Sequence, residues 1–274
     1  MTDINYDIYA TKAVSNGRKI DGYGKIYFHA NDYLKKIFED VCVDRCKVLT
    51  VTGSGDQAFY LYNAGCESLD LIDINKLTMY YFYLRKWVIQ YLNQFYPDEK
   101  INRFFLNNLL SKVVPKSNDE YISLEYWKLF LKNIDNINIE NLFNFGMNPY
   151  INKIDDISLL RDKMGSINPR FYNKDLFEDI EGMDSDYNTI YTSNIADYKK
   201  PTVENFRPYL DNLCNLMGEY GDNVICANVL RGKPRNIEAQ IFKESFVAYR
   251  IPEIEDKYIS GSPGTIYTRK IIFR

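Results

Sequence analysis

KVLTVTGSGDQAFYLYNAGCESLDLIDIN, residues 47–75, runs from an apolar segment into Gly53-Ser54-Gly55, then a helix-like stretch, then a second apolar segment closed by Asp73. The order is strand, tight glycine turn, helix, strand. It presents bare backbone and one carboxylate to a nucleotide-like ligand. Glycine at 53 and 55 lets amides approach a ligand with no Cβ in the way. The same Gly-x-Gly also serves an ordinary strand-to-helix turn, and its place between VLTVT and a helix favours ligand binding. Thr52, Gly53, Ser54, Gly55 and Asp56 are therefore the candidate cofactor-binding turn, with Asp56 in the first turn of the helix, where its charge suits the helix terminus. Asp73 ends LDLID and can accept two ribose hydroxyls through charge-assisted hydrogen bonds, or be a solvated loop acid. Asn75 either caps the next helix or faces the ligand.

The chain around this stretch reads as an α/β protein with a mostly parallel, Rossmann-like sheet and a helical insertion. Residues 1–45 form an arm and a short amphipathic helix over 31–42, with Tyr33, Leu34, Ile37, Phe38 and Val41 on one side. Residues 46–95 are the first half of the cofactor-binding domain and include a long aromatic helix over 76–95. Residues 96–165 show helical pattern and no clear strand, too long for a simple connection, and are expected to form a helical insertion or cap. The second half, 166–274, holds a weak third strand within 167–180, a fourth at YNTIYTSNI (187–195), a helix over 202–220, a fifth strand at NVICANVL (223–230), and late strands at ESFVAYRIPE and GTIYTRKIIFR that suit an antiparallel closing pair.

Further candidates follow the later strands. Asp175 lies after the third, where it can hold an adenine amino group or cap a helix. Ser193 and Asn194 end the fourth, at the carboxyl edge where α/β sheets bind ligands, and are the candidates for the reacting end of the cofactor and the acceptor. An ordinary capped strand end is the plainer reading of that pair. His29, the sole histidine, is either a general base near neutral pH or structural. Arg231, Lys233 and Arg235 form a basic loop that is solvated or contacts an anionic acceptor.

Composition narrows the classes. Hydrophobic residues make up 46% of the 274, enough for a real core, and a net charge of −3 gives no uniform basic face for nucleic acid. Five cysteines at scattered spacings do not form a disulfide frame, and read as buried thiols; one histidine excludes a metal site built on histidines. The N-terminus MTDINYDIYATK is polar, and no run of 18 apolar residues occurs, so the expectation is a cytoplasmic protein with no membrane span and room for peripheral membrane contact.

VLTVTGSGDQAFYLYNAG, LDLIDIN, the long helix and YTSNI together resemble the S-adenosylmethionine-dependent 3-amino-3-carboxypropyltransferases of betaine-lipid synthesis and their uncharacterised relatives. The matching residues are Thr52 to Asp56, Asp73 to Asn75, and Ser193 to Ile195. The family follows its acidic-x-Asn with Pro-x-Gln, where this chain has Lys76, Leu77 and Thr78. The resemblance implies the class I S-adenosylmethionine-binding fold, with S-adenosyl-L-methionine as cofactor. Gly53, Gly55, Asp56 and Asp73 would hold it, Asn194 would lie near its amino-acid part, and an aminocarboxypropyl group would pass to a small-molecule or lipid-headgroup acceptor. Methyl transfer is the alternative on the same cofactor. A nicotinamide oxidoreductase is a second class, disfavoured because position 58 is alanine where G-x-G-x-x-G ends. A non-catalytic cofactor-fold binding protein is the third.

Overall fold

The computed structural model describes residues 34–38, 41–91, 102–133, 154–166, 168–178, 180–193, 195, 203–218, 223–229, 253–260 and 265–273. The chain forms two compact units. The first takes residues 1–30, 52–63 and 73–173, and the second takes 31–51, 64–72 and 174–274.

The second unit carries the sheet. Its strands are β1 (Lys47–Val51), β2 (Ser68–Ile72), β4 (Thr189–Ser193), β5 (Asn223–Val229), β6 (Glu253–Ser260) and β7 (Thr265–Phe273). They lie in the order β2-β1-β4-β5-β7-β6. β1 pairs in parallel with β2 (Val48 opposite Leu69) and with β4 (Leu49 opposite Ile190), and β4 pairs in parallel with β5. β7 is antiparallel to both β5 and β6. Four of five residues in β1 and in β2, and all five in β4, are buried. That is why these strands read as apolar runs rather than alternations: parallel sheets are covered on both faces. The order reverses between β1 and β4, which are parallel neighbours, and such a switch point opens a crevice at the strands' carboxyl ends. This mostly parallel order, with an antiparallel β7 inserted beside β5, is the Rossmann-like class I methyltransferase fold.

A short helix, α1 (Leu34–Ile37), precedes the sheet, and Leu34, Ile37, Phe38 and Val41 are all buried, as the amphipathic pattern predicts. The Phe38 ring meets Tyr191 of β4 edge-on at 5.2 Å between centroids. Within the sheet, buried Asp70 of β2 accepts a 2.6 Å hydrogen bond from the Tyr187 hydroxyl, which satisfies a carboxylate that burial would otherwise penalise. Helix α7 (Val203–Leu216) covers part of this unit through Tyr209, whose hydroxyl donates to Thr192 and whose ring stacks on Phe177 at 4.6 Å.

The first unit is helical: α2 (Asp56–Ala64), α3 (Lys76–Tyr91), α4 (Arg103–Lys112), α5 (Asn118–Asn133) and α6 (Ile154–Ser166), with the short strand β3 (Arg170–Tyr172). Every residue of α3 from Leu77 to Ile89 is buried, including Arg85 and Lys86. A helix apolar all round needs neighbours all round. α5 supplies one, through the Trp127 indole donating to the Tyr80 carbonyl at 2.7 Å and Tyr126 stacking on Tyr80 at 4.6 Å. α6 supplies another, through Gln90 donating to the Met164 carbonyl.

One late-strand expectation lies outside the described residues, and one expectation is corrected. The strand before the last among the described residues is Glu253–Ser260, and the expected strand ESFVAYRIPE lies outside the described residues except for its final Glu253. EIEDKYIS is half charged, which suits its place at the sheet edge, where charge discourages further strand pairing, and hides it from an apolar reading. The described cysteines are free thiols, but only Cys66 is buried; Cys42 is exposed, and Cys46 and Cys214 are intermediate. Among the described residues, no helix is long and apolar enough to cross a membrane.

Candidate functional site

The chain leaves β1 at Val51 and turns through Thr52–Gly55 into α2. The turn closes with the Gly55 amide donating to the Thr52 carbonyl at 2.7 Å. Gly53 (φ +50°) and Gly55 (φ +87°) both occupy the left-handed region. A Cβ on Gly55 would stand 3.2 Å from the Phe82 ring, so this position needs glycine for conformation and for space.

Four predicted members of the turn, Thr52, Ser54, Gly55 and Asp56, are buried; Gly53 alone has partial exposure. The Asp56 carboxylate meets the Arg85 guanidinium of α3 at 2.7 Å, with both side chains 3% exposed. Arg85 also donates to the Ser54 carbonyl at 2.7 Å, and the Ser54 hydroxyl donates to Asp56 at 3.0 Å. Phe59 and Tyr81 place their ring faces 5.0 and 5.7 Å from the guanidinium. Asp56 therefore acts on the turn's shape, through a buried and mutually satisfied pair. Arg85 lies in the long aromatic helix, whose sequence pattern names no partner for it. The Arg85–Lys86 pair is flanked by Phe82, Tyr83 and Leu84 before it and by Trp87, Val88 and Ile89 after it, and such a flank of apolar and aromatic residues is the signal that the pair is buried.

Asp73 follows β2 and stands half-buried. Its Oδ2 accepts from the Gly53 amide at 3.1 Å and its Oδ1 from the Asn75 amide at 2.9 Å. Burial pushes its pKa up to about 6, against the pull of those two amides and of the Thr78 hydroxyl. Its backbone is fixed by its own amide donating to the Tyr172 carbonyl at 3.1 Å and by Asn173 donating to its carbonyl at 2.9 Å. Asn75 is buried, and its side chain accepts from the Leu77 amide at 3.1 Å, so the capping alternative holds for this residue. Thr78 closes the same turn by donating to the Asn75 carbonyl at 2.7 Å.

Gln57, absent from the sequence candidates, belongs to this cluster. Its carboxamide packs 3.4–3.6 Å from where a Cβ on Gly53 would lie. The residue is 4% exposed, and its Oε1 is buried with no hydrogen-bond partner among the described residues. An orphaned buried acceptor beside a ligand-type turn awaits a donor.

In the second unit, Ser193 ends β4 with φ +49° and is buried, and the pairing with β5 shifts register between Tyr191 and Ser193. A left-handed non-glycine residue at a strand end is strained, and such strain gathers at functional positions. Asp175 accepts from the Phe177 amide at 2.9 Å and from the Glu178 amide at 3.0 Å, so it caps a turn. Asn194, His29, Arg231, Lys233 and Arg235 lie outside the described residues. The structure thus brings together Thr52–Asp56, Asp73 and Asn75. Among the described residues, no group of three or more His, Cys, Asp or Glu side chains is disposed to hold a metal ion.

No protein-family profile matches the chain. No curated protein sequence matches it either. Solved structures do. A TehB-like S-adenosylmethionine-dependent methyltransferase from Corynebacterium glutamicum is 11% identical, with 99% of this chain and 97% of that chain covered and a TM-score of 0.44. The N-methyltransferase NodS from Bradyrhizobium japonicum is 9% identical over 88% of this chain and 92% of that chain, at a TM-score of 0.45. An S-adenosylmethionine-dependent methyltransferase from Aquifex aeolicus is 11% identical over 97% of each chain, at 0.43.

Proposed function

We propose that this protein is an S-adenosylmethionine-dependent transferase whose chemistry is methyl transfer to a small acceptor. The observation that carries the reading is the Asp73 carboxylate bonded to the Gly53 amide, joining the residues that follow two adjacent parallel strands of a class I methyltransferase fold. The residues fit the cofactor. A carboxylate has about four lone-pair positions, and the Gly53 and Asn75 amides take one on each oxygen of Asp73, leaving acceptor capacity for ribose hydroxyls. The left-handed Gly53, partly exposed, offers backbone without a side chain.

When bound, S-adenosylmethionine supplies a carbon activated by its sulfonium. The protein's part is to hold and align. Asp73 fixes the ribose, Arg85 and Asp56 keep the turn in shape, and Gln57 offers a carboxamide beside Gly53. Ser193, which ends β4, and Asn194 are assigned to the acceptor side, and His29 to proton removal where the acceptor needs it. Of the three sulfonium carbons the methyl is the least hindered, so its transfer asks for no special folding of the methionine chain. Lys76, Leu77 and Thr78 also stand where the betaine-lipid enzymes carry Pro-x-Gln. The second reading, aminocarboxypropyl transfer, rests on the matching Thr52–Asp56 and Asp73–Asn75.

One experiment separates them. The purified protein is incubated with S-adenosylmethionine and a cell extract, and products are followed by mass spectrometry. S-adenosylhomocysteine that depends on protein and extract supports methyl transfer. Methylthioadenosine instead would replace it with aminocarboxypropyl transfer. Calorimetry that detects NAD binding and no S-adenosylmethionine binding would overturn both.

A further inference from the structure

Two thiols stand together just ahead of β1. The Cys46 thiol donates to the Cys42 carbonyl at 3.4 Å. Between them the chain makes a turn from Val43 to Cys46, closed by the Cys46 amide donating to the Val43 carbonyl at 3.2 Å. The ends of such a turn are less than about 7 Å apart. A carbonyl oxygen and the Cβ of its own residue lie about 3 Å apart, so the Cys46 sulfur stands within about 6.5 Å of the Cys42 Cβ. Burial raises the pKa of the Cys46 thiol, and the neighbouring Cys42 sulfur and Asp44 carboxylate raise it further.

The turn is held from outside. Val43 is buried. Arg45, left-handed at φ +58°, donates its amide to the Gly65 carbonyl at 3.0 Å, and the Cys46 carbonyl accepts from the Glu67 amide at 3.0 Å, just ahead of β2. A non-glycine residue keeps a left-handed backbone only where its surroundings fix it. The two cysteines are therefore close together before any reaction, which spares the entropy of gathering them. Their exposures differ. Cys42 is exposed and Cys46 half-buried, whereas Cys66 is buried, and burial with the Asp211 carboxylate pushes the Cys214 thiol well above its usual range. Among the described cysteines, Cys42 is thus the one a dissolved reagent reaches first.

We infer that Cys42 and Cys46 form a reversible dithiol–disulfide site that reacts with low-molecular-weight disulfides, Cys42 attacking and Cys46 resolving. The Cys42 thiolate attacks one sulfur of the small disulfide, breaks its S–S bond and releases one small thiol. Cys46 gives up its proton to solvent and attacks the Cys42 sulfur. The Cys42–Cys46 bond forms and the second small thiol leaves. Two protein thiols are oxidised, and one external disulfide is reduced to two thiols. The inference is independent of the cofactor reading, since no residue of the glycine turn and no part of Asp73 takes part.

The test incubates the full, reduced chain with oxidised glutathione, blocks the remaining thiols with N-ethylmaleimide and maps the peptides by mass spectrometry. The product should carry a Cys42–Cys46 bond and be two hydrogens lighter, with Cys66 and Cys214 still open to the blocking reagent after unfolding, and dithiothreitol should reverse it. Cys46→Ser should stop at a glutathione adduct on Cys42, at least tenfold more abundant than in wild type. Cys42→Ser should slow reaction at Cys46 at least tenfold. Against mixtures of reduced and oxidised glutathione, the equilibrium constant for closing the bond should be at least tenfold larger in the folded chain than in concentrated urea. A lasting Cys42 adduct in wild type without the internal bond, first attack at Cys46, Cys66 as the bonded partner, or equal equilibrium constants folded and unfolded would each overturn the proposal.

Discussion

The Gly53 amide donates to Asp73 Oδ2 across 3.1 Å, so the turn after β1 and the acid after β2 are one hydrogen-bonded unit. The consequence is a carboxylate already ordered and desolvated before any ligand arrives. An ordered acceptor loses less entropy on binding, and a partly desolvated one makes stronger hydrogen bonds.

That arrangement gives a pH signature. The folded-state pKa of Asp73 is raised from 3.8 to about 6, so the folded protein prefers the protonated acid. Its contribution to stability is fully present below about pH 4 and is lost as pH rises through 6. Thermal melts of the ligand-free protein between pH 4 and 7 should therefore show wild type losing stability relative to Asp73→Asn, and the difference should level off above pH 6. Cofactor affinity should run the other way, falling about tenfold per unit below pH 6, because ribose hydroxyls are best accepted by the ionised form. Asp73→Asn should weaken S-adenosylmethionine binding by about 2 kcal/mol, on the order of 30-fold by calorimetry. An affinity that does not change with pH would separate Asp73 from the ribose.

The Asp56–Arg85 pair should be asymmetric under mutation. Arg85→Met leaves the Asp56 carboxylate buried without its countercharge, and should cost about 3–5 kcal/mol in urea denaturation. Arg85→Met with Asp56→Asn removes the stranded charge and should recover more than half of that loss. Arg85→Lys should fall between, since an ammonium cannot reproduce the fork that reaches both Asp56 and Ser54. If Arg85→Met alone were neutral, the pair would not hold the turn.

What was legible in the sequence was whatever depends on neighbours along the chain. The apolar runs that became β1 and β2, the glycines that became left-handed, and the acid that ends LDLID are local signals, and they mark the site within a residue or two. Contacts between distant segments were not. Arg85 and Ser54 are 31 residues apart, and nothing in either local pattern pairs them. Asp175 and Asn75 were each read as either cap or ligand contact, because a cap and a ligand use the same short polar side chains; in the structure each accepts a capping amide. β6 escaped because an edge strand is not selected for apolar character.

Gly55→Ala tests the turn's backbone with an internal reference. Gly55 and Gly182 both have strongly positive φ, +87° and +75°, but a Cβ meets Phe82 at 3.2 Å in the first case and nothing within 4 Å in the second. Gly182→Ala should cost about 1–2 kcal/mol, the left-handed backbone penalty alone. Gly55→Ala should cost that and about 1 kcal/mol more for crowding Phe82. Equal losses in denaturant titrations would mean that the Phe82 ring gives way freely.

Gln57 should separate stability from function. Its Oε1 is buried without a partner among the described residues, so Gln57→Leu, near in volume and free of polar atoms, should stabilise the ligand-free protein by about 1 kcal/mol. If the carboxamide serves a bound cofactor beside Gly53, the same change should weaken S-adenosylmethionine binding by about 1–2 kcal/mol, roughly five- to thirtyfold. Melting temperature and affinity then move in opposite directions, the pattern of a polar group kept at a cost in folding for the sake of a ligand. A variant that is more stable and binds unchanged would make Gln57 a packing residue. One that loses both would place a structural hydrogen bond where none is seen.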